Sequence, residues 1–218
     1  MALLALLAWF QADWKDAGMK AASAGDFVSA AAHFAKACDA DPRDQDNCYF
    51  LGRALFTAGR YREAVPAFEK ARKAATRAKL DRVERAAGLN FAALDLPAEA
   101  ERHFKDAIQA RQRSDRAAED ARIDYGAFLS RQGRAEEAAV LLEPACLENP
   151  RSARAHLESG RALLHLGRPG DAVKRLETAV QLDPANSPAR LLLGRAYLQL
   201  GRTEEGEREM RYGSSTVK

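Results

Sequence analysis

The sequence predicts an all-α chain, an α-solenoid of about six helix–turn–helix repeats. Three observations predict it. Glycine recurs at 18, 52, 88, 126, 160 and 194, at intervals of 34, 36, 38, 34 and 34 residues. Seven residues after each comes Gly25, Gly59, Gly133, Gly167 or Gly201, with Asp95 holding the place in the third repeat. Behind them runs a bulky apolar column: Phe34, Phe68, Phe104, Leu142, Leu176 and Met210.

Each element of the unit follows from these columns. The patterned part of the first helix begins near Trp14, Cys48, Glu84, Arg122, His156 and Arg190. Its central glycine (Gly18, Gly52, Gly88, Gly126, Gly160, Gly194) costs about 1 kcal/mol relative to alanine. Close approach of a neighbouring helix is the physical reason for it. The next glycine suits the left-handed residue that ends a helix. In the second helix, Ala30, Ala64, Ala100, Ala138 and Ala172 precede the bulky column by four residues, with Gly206 in the last unit. Ala37, Ala71, Ala107, Ala145 and Ala179 follow it by three. Steps of four and three keep these columns on one helical face. Pro42, Pro150 and Pro184 close three units.

The second and third units lack that proline and carry extra residues. The expectation is longer second helices, through Arg72–Lys79 and Ala110–Arg116. Pro66 and Pro144 fall inside second helices, where Pro144 removes a backbone donor and should kink its helix.

These residues resemble the tetratricopeptide repeat (TPR) family. In the first unit the resemblance is carried by Trp14, Gly18, Gly25, Phe27, Ala30, Phe34, Ala37 and Pro42. In the second it is carried by Leu51, Gly52, Gly59, Tyr61, Ala64, Phe68 and Ala71, and in the last by Leu193, Gly194, Tyr197 and Gly201. The match runs over 11–211, with units starting near 11, 45, 81, 119, 153 and 187. The resemblance implies a right-handed superhelix that acts as a protein-binding scaffold, with first helices lining a concave groove. One TPR subclass clamps acidic C-terminal tails. Lys15 and Arg82 fall at its basic places, but Met19, Phe50 and Ala86 stand where it needs two asparagines and an arginine. That ligand is not carried over.

A solenoid makes one continuous elongated body, stabilised between neighbouring units. The formal net charge is only +3. Residues 69–116 hold 12 Lys/Arg against 8 Asp/Glu, a net of +4, leaving −1 elsewhere. With no aromatic interleaving or known motif this reads as a solvated helix face, and nucleic acid is not the expected partner. Three cysteines exclude a fully paired framework. Cys38 and Cys48 flank the Pro42 turn and either pack as small apolar residues or pair in an oxidising compartment. Cys146 has no evident partner.

Residues 1–10 form an apolar segment, too short to span a bilayer. It reads either as a signal remnant or as a capping extension, and the cytoplasm is only slightly favoured as location. Thr203–Arg211 is mostly charged and reads as a terminal cap, and 212–218 as a frayed tail.

No nucleophile elbow, P-loop, zinc spacing or dinucleotide fingerprint is present. The sequence therefore predicts no enzyme, cofactor, metal or small-molecule substrate. His33 and His103 are expected to be exposed. His156 and His165 lie on opposite sides of one helix. What remains is a surface. Spacing i, i+4, i+7 on the first helices selects Tyr49, Arg53 and Phe56; Leu157, Arg161 and Leu164; and Leu191, Arg195 and Leu198. Each arginine sits between apolar neighbours, which suits a partner segment with carboxylates and apolar anchors. The equivalent sets Lys15/Met19/Ala22, Arg85/Leu89/Ala92 and Ile123/Ala127/Ser130 are smaller or mixed. The alternative reading is a structural subunit that associates through its ends or residues 1–12.

Overall fold

The computed structural model describes residues 14–111 and 120–215. These residues form twelve helices and no strand. A helix over 14–23 (α1) is followed by α2 (Phe27–Ala40), α3 (Gln45–Thr57), α4 (Tyr61–Ala74), α5 (Leu80–Ala93) and α6 (Pro97–Ala110). Then come α7 (Ala121–Arg131), α8 (Ala135–Glu148), α9 (Ala153–His165), α10 (Pro169–Leu182), α11 (Ser187–Gln199) and α12 (Thr203–Ser215). The packing divides into two compact units, Met1–Arg113 and Ser114–Lys218. Within each unit, helices pair as sequential hairpins, and each second helix also packs on the first helix of the next hairpin. First helices touch one another as well: α3 meets α5, α7 meets α9, and α9 meets α11. They therefore form one face of their unit.

The mid-helix glycines admit a side chain from their own hairpin. A Cβ on Gly52 would lie 2.6 Å from the Phe68 ring. The same holds for Gly18 with Phe34, Gly88 with Phe104, Gly126 with Leu142, Gly160 with Leu176 and Gly194 with Met210. The close approach is thus made by the bulky column itself. Phe34, Phe68, Phe104, Leu142 and Leu176 are buried, each contributing about 1.5–3 kcal/mol. The alanines at 30, 64, 100, 138 and 172 are fully buried and let the helices close around these side chains. Met210 in the last hairpin stays 38% exposed.

Hairpin turns close by one geometry. Gly59 has φ +74, its N–H bonds Phe56 O, and Arg60 N–H returns to Leu55 O at 2.8 Å, a Schellman closure. Asp95 adopts φ +57 at the equivalent place. The arginine after the turn glycine then forks onto an acid three residues on. Arg60 pairs with Glu63, Arg134 with Glu137, Arg168 with Asp171 and Arg202 with Glu205. No side-chain cap opens α4, α8 or α10, so this fork stands at their N-termini, with the acid in the first turn where the dipole favours it.

Several boundaries differ from the sequence reading. First helices start ahead of their patterned residues because Asp44, Asp120, Ser152 and Asn186 cap them. The second helix of the second unit is not lengthened, since α4 ends at Ala74. Gln45 Oε1 captures Thr76 N–H at 2.9 Å and Lys79 N–H bonds Thr76 O, so the extra residues fold as a turn. Likewise α6 ends at Ala110, and residues 112–119 lie outside the described residues. Both α4 and α8 continue through Pro66 and Pro144. α12 reaches Ser215 with Gly213 buried against Leu191, so the frayed tail does not begin at 212. Cys38 and Cys48 are joined by a disulfide between α2 and α3. Cys146 is a buried free thiol, and burial raises its pKa. Residues 1–13, including the apolar segment, lie outside the described residues. No helix of the described residues is long and apolar enough to cross a membrane.

Candidate protein-binding face

In the first unit, the first-helix face carries two small apolar hollows, one on each side of Arg53. The first, about 180 Å³, lies between α1 and α3 and is lined by Met19, Ala22, Phe34 and Phe50. The second, about 140 Å³, lies between α3 and α5 and is lined by Phe56, Phe68, Arg85 and Leu89. Arg53 lines both. The bulky column that fills each hairpin therefore also floors the hollows: Phe34 stacks on Phe50 with ring centroids 5.5 Å apart.

Arg53 is exposed, and its Nη1 donates to the Tyr49 hydroxyl at 3.1 Å. Tyr49 itself is buried, with the Arg82 guanidinium 4.5 Å from its ring centre. It positions the two arginines and is not open to a partner. Nearby, Lys79 and Arg82 bind Asp46, and Lys15 binds Asp44 at 3.0 Å. Partial burial pushes the Asp46 carboxyl up, but Lys79, Arg82 and Lys15 outweigh it and hold it below the usual carboxylate range. The cations that fall at the tail-clamp places are thus neutralised by the chain's own acids.

The second unit is built differently. Leu157 and Leu164 are buried between helices, so packing removes them from the open stripe. Arg161 is half-buried, 3.4 Å from Glu158. Beside it Asp124 is buried and paired with Arg154. Burial pushes the Glu158 carboxyl up, opposed by Arg161, Arg154 and Arg131 and reinforced by Asp124. Arg195 and Leu198 are exposed, and Leu191 is half-buried against Gly213.

Of the nine stripe residues, the structure leaves Arg53, Phe56, Arg161, Leu191, Arg195 and Leu198 at least partly accessible. Arg85 and Leu89, read from the sequence only as part of a mixed set, line the second hollow, while Phe50 escaped the sequence reading as a groove residue. Phe50 is one residue round from Tyr49, a turn of about 100°, and both are aromatic, so spacing alone did not choose between them. His103 is another correction: it is buried, held by Glu84 and stacked on Phe91. His33 is half-buried against Trp14.

The tetratricopeptide repeat model matches residues 21–86, 129–179 and 163–211, more than half of the chain. The chain belongs to the TPR family. No curated protein matches it. Among solved structures, PilW, described as a widely conserved type IV pilus biogenesis factor, is 17% identical at TM-score 0.77, covering 91% of this chain and 90% of that one. PilF of Pseudomonas aeruginosa is 20% identical at TM-score 0.71, covering 81% and 78%. YrrB, described as a TPR protein with an unusual peptide-binding site, is 18% identical at TM-score 0.60, covering 84% and 92%. At these identities the likeness is one of fold.

Proposed function

We propose that this TPR chain is a protein-interaction scaffold that holds an extended segment of a partner across the first-helix face of its first unit. Two apolar side chains of the partner enter the two hollows, and an acidic side chain between them meets Arg53. The observation that carries this is the placement of one exposed guanidinium between two apolar hollows. Adjacent first helices stand roughly 10 Å apart, and an extended chain advances about 3.3 Å per residue. The two anchors are therefore three residues apart, a spacing that a polyproline II segment, with three residues per turn, keeps on one face. The TPR fold is typical of protein–protein interaction scaffolds, and no enzymatic role is assigned.

Peptides selected from a displayed library on the full chain test this reading. The expected winners carry apolar residues three apart with Asp or Glu between, and Arg53→Glu weakens them about tenfold or more. Winners without the acid, or indifferent to Arg53→Glu, would overturn it. Arg195→Glu, made in the second unit, should leave them unaffected.

A second reading, association through an end, is favoured by the last hairpin. There Leu198, Leu200, Met210 and Tyr212 are between 38% and 55% exposed. It requires sedimentation to show a concentration-dependent oligomer that Met210→Glu dissociates. A chain that stays monomeric at every concentration removes it.

A further inference from the structure

We propose that the third hairpin holds a divalent transition-metal site formed by Glu84, His103 and Asp106. One ligand atom from each lies within 4.8 Å of the others. Glu84 comes from α5, while His103 and Asp106 lie three residues apart on α6, which puts them on one helical face. Glu84 and His103 are 2% and 6% exposed. His103 Nδ1 stands 2.6 Å from Glu84 Oε2, and its ring lies nearly parallel to Phe91 with centroids 5.0 Å apart. Two ligands are thus fixed by packing. Asp106 is half-buried, has no partner among the described residues and is the adjustable third. Ligand atoms around a tetrahedral zinc sit roughly 3.3 Å apart, so the Asp106 side chain must move in and the 2.6 Å Glu84–His103 contact must open slightly to admit the ion. Solvent supplies the fourth position.

Comparison between repeats separates this cluster from ordinary packing. Residues equivalent to Glu84 and His103 meet in other hairpins too, as a ring stack (Trp14 with His33, 5.7 Å) and as an ion pair (Arg190 with Glu209, 2.6 Å). Neither of those pairs has a carboxylate at the third place. At the place of Asp106 the other hairpins carry Lys36, Lys70, Pro144, Thr178 and Tyr212. Only the third hairpin adds a second acid beside an imidazole, and one imidazole with two carboxylates is a donor set for zinc or cobalt.

Two cations compete. The Arg72 guanidinium is 3.9 Å from Glu84, and Arg102 Nη2 is 3.1 Å from His103 Nε2. Arginine only donates, so Nε2 accepts and the ring proton sits on Nδ1, donated to Glu84. Metal loading at Nδ1 moves that proton to Nε2, because its loss to solvent would leave an imidazolate rather than a neutral ligand. Arg102 must then turn away, and its exposed side chain is free to do so.

The test is titration of the untagged full chain with Co²⁺, read by its visible ligand-field absorption, and with Zn²⁺ in competition. The wild type is expected to saturate at one ion per chain. Asp106→Asn should weaken binding at least tenfold with an unchanged helical circular-dichroism spectrum. Arg102→Ala should strengthen it. No saturable binding, or binding that Asp106→Asn and His103→Asn both leave intact, overturns the site. Because Asp106 has no structural partner, its variant keeps the test decisive even where His103→Asn fails to fold.

Discussion

At the scale of single residues, three side chains show how tightly this repeat is specified. Gly52 faces the Phe68 ring, so Gly52→Ala should destabilise by about 1–3 kcal/mol through overpacking, despite alanine's better helix propensity. Asp95 holds a left-handed turn that glycine fills elsewhere. Asp95→Gly should therefore raise the melting midpoint slightly, and thermal unfolding checks both variants. Glu158 is a buried carboxyl whose pKa is raised by desolvation. The folded state then holds its proton more tightly than the unfolded state does. The ionised form costs stability in full above the folded pKa, and that cost fades as pH falls from the folded pKa to the lower unfolded one, below which it is gone. Glu158→Gln should accordingly raise the melting midpoint at neutral pH, with a gain that shrinks toward acid. Burial lowers the pKa of His156 and works in the opposite sense, but it is present in both proteins and cancels in the difference. A variant less stable than wild type at neutral pH would contradict this account.

At the scale of elements, the helices were legible in the sequence and their ends were not. Glycine, alanine and bulky columns recur because packing inside each hairpin is local, so a periodic pattern records it directly. The ends depend on single polar atoms. Gln45 holding Thr76, and Asp44 capping α3, decide where α4 stops and α3 starts, and neither belongs to a column. The binding face was half legible for the same reason. Arg53 stood out between apolar neighbours at first-helix spacing, whereas Phe34 and Phe68 reach the hollows from second helices, which no first-helix spacing reveals. The link between α2 and α3 has a measurable strength. Cys38 and Cys48 are separated by 10 positions, and closing so short a loop contributes about 2–3 kcal/mol in the chain-entropy treatment. Replacing both by serine, or adding reductant, should lower the unfolding free energy by that order. A denaturant midpoint indifferent to reductant would show that the bridge adds nothing.

At the scale of the whole molecule, the chain is a TPR protein whose two units are each made of hairpins of the same plan with different surfaces. In the first, the first-helix face offers hollows beside an open arginine. In the second, buried leucines and a buried acid paired with arginine occupy much of that face. That contrast was invisible in the sequence, where Tyr49, Leu157 and Leu191 stand at equivalent positions and differ only in what packs above them. The pairing of each helical glycine with a large side chain in the following helix carries one more consequence, for kinetics. Every such contact spans sixteen residues of chain, as from Gly52 to Phe68, so little loop entropy stands in the way of forming it. Proteins dominated by contacts this local sit at the low end of contact order and collapse fast. Each hairpin is thus a ready-made nucleus, and a newly synthesised chain can bury its large side chains one hairpin at a time as it emerges.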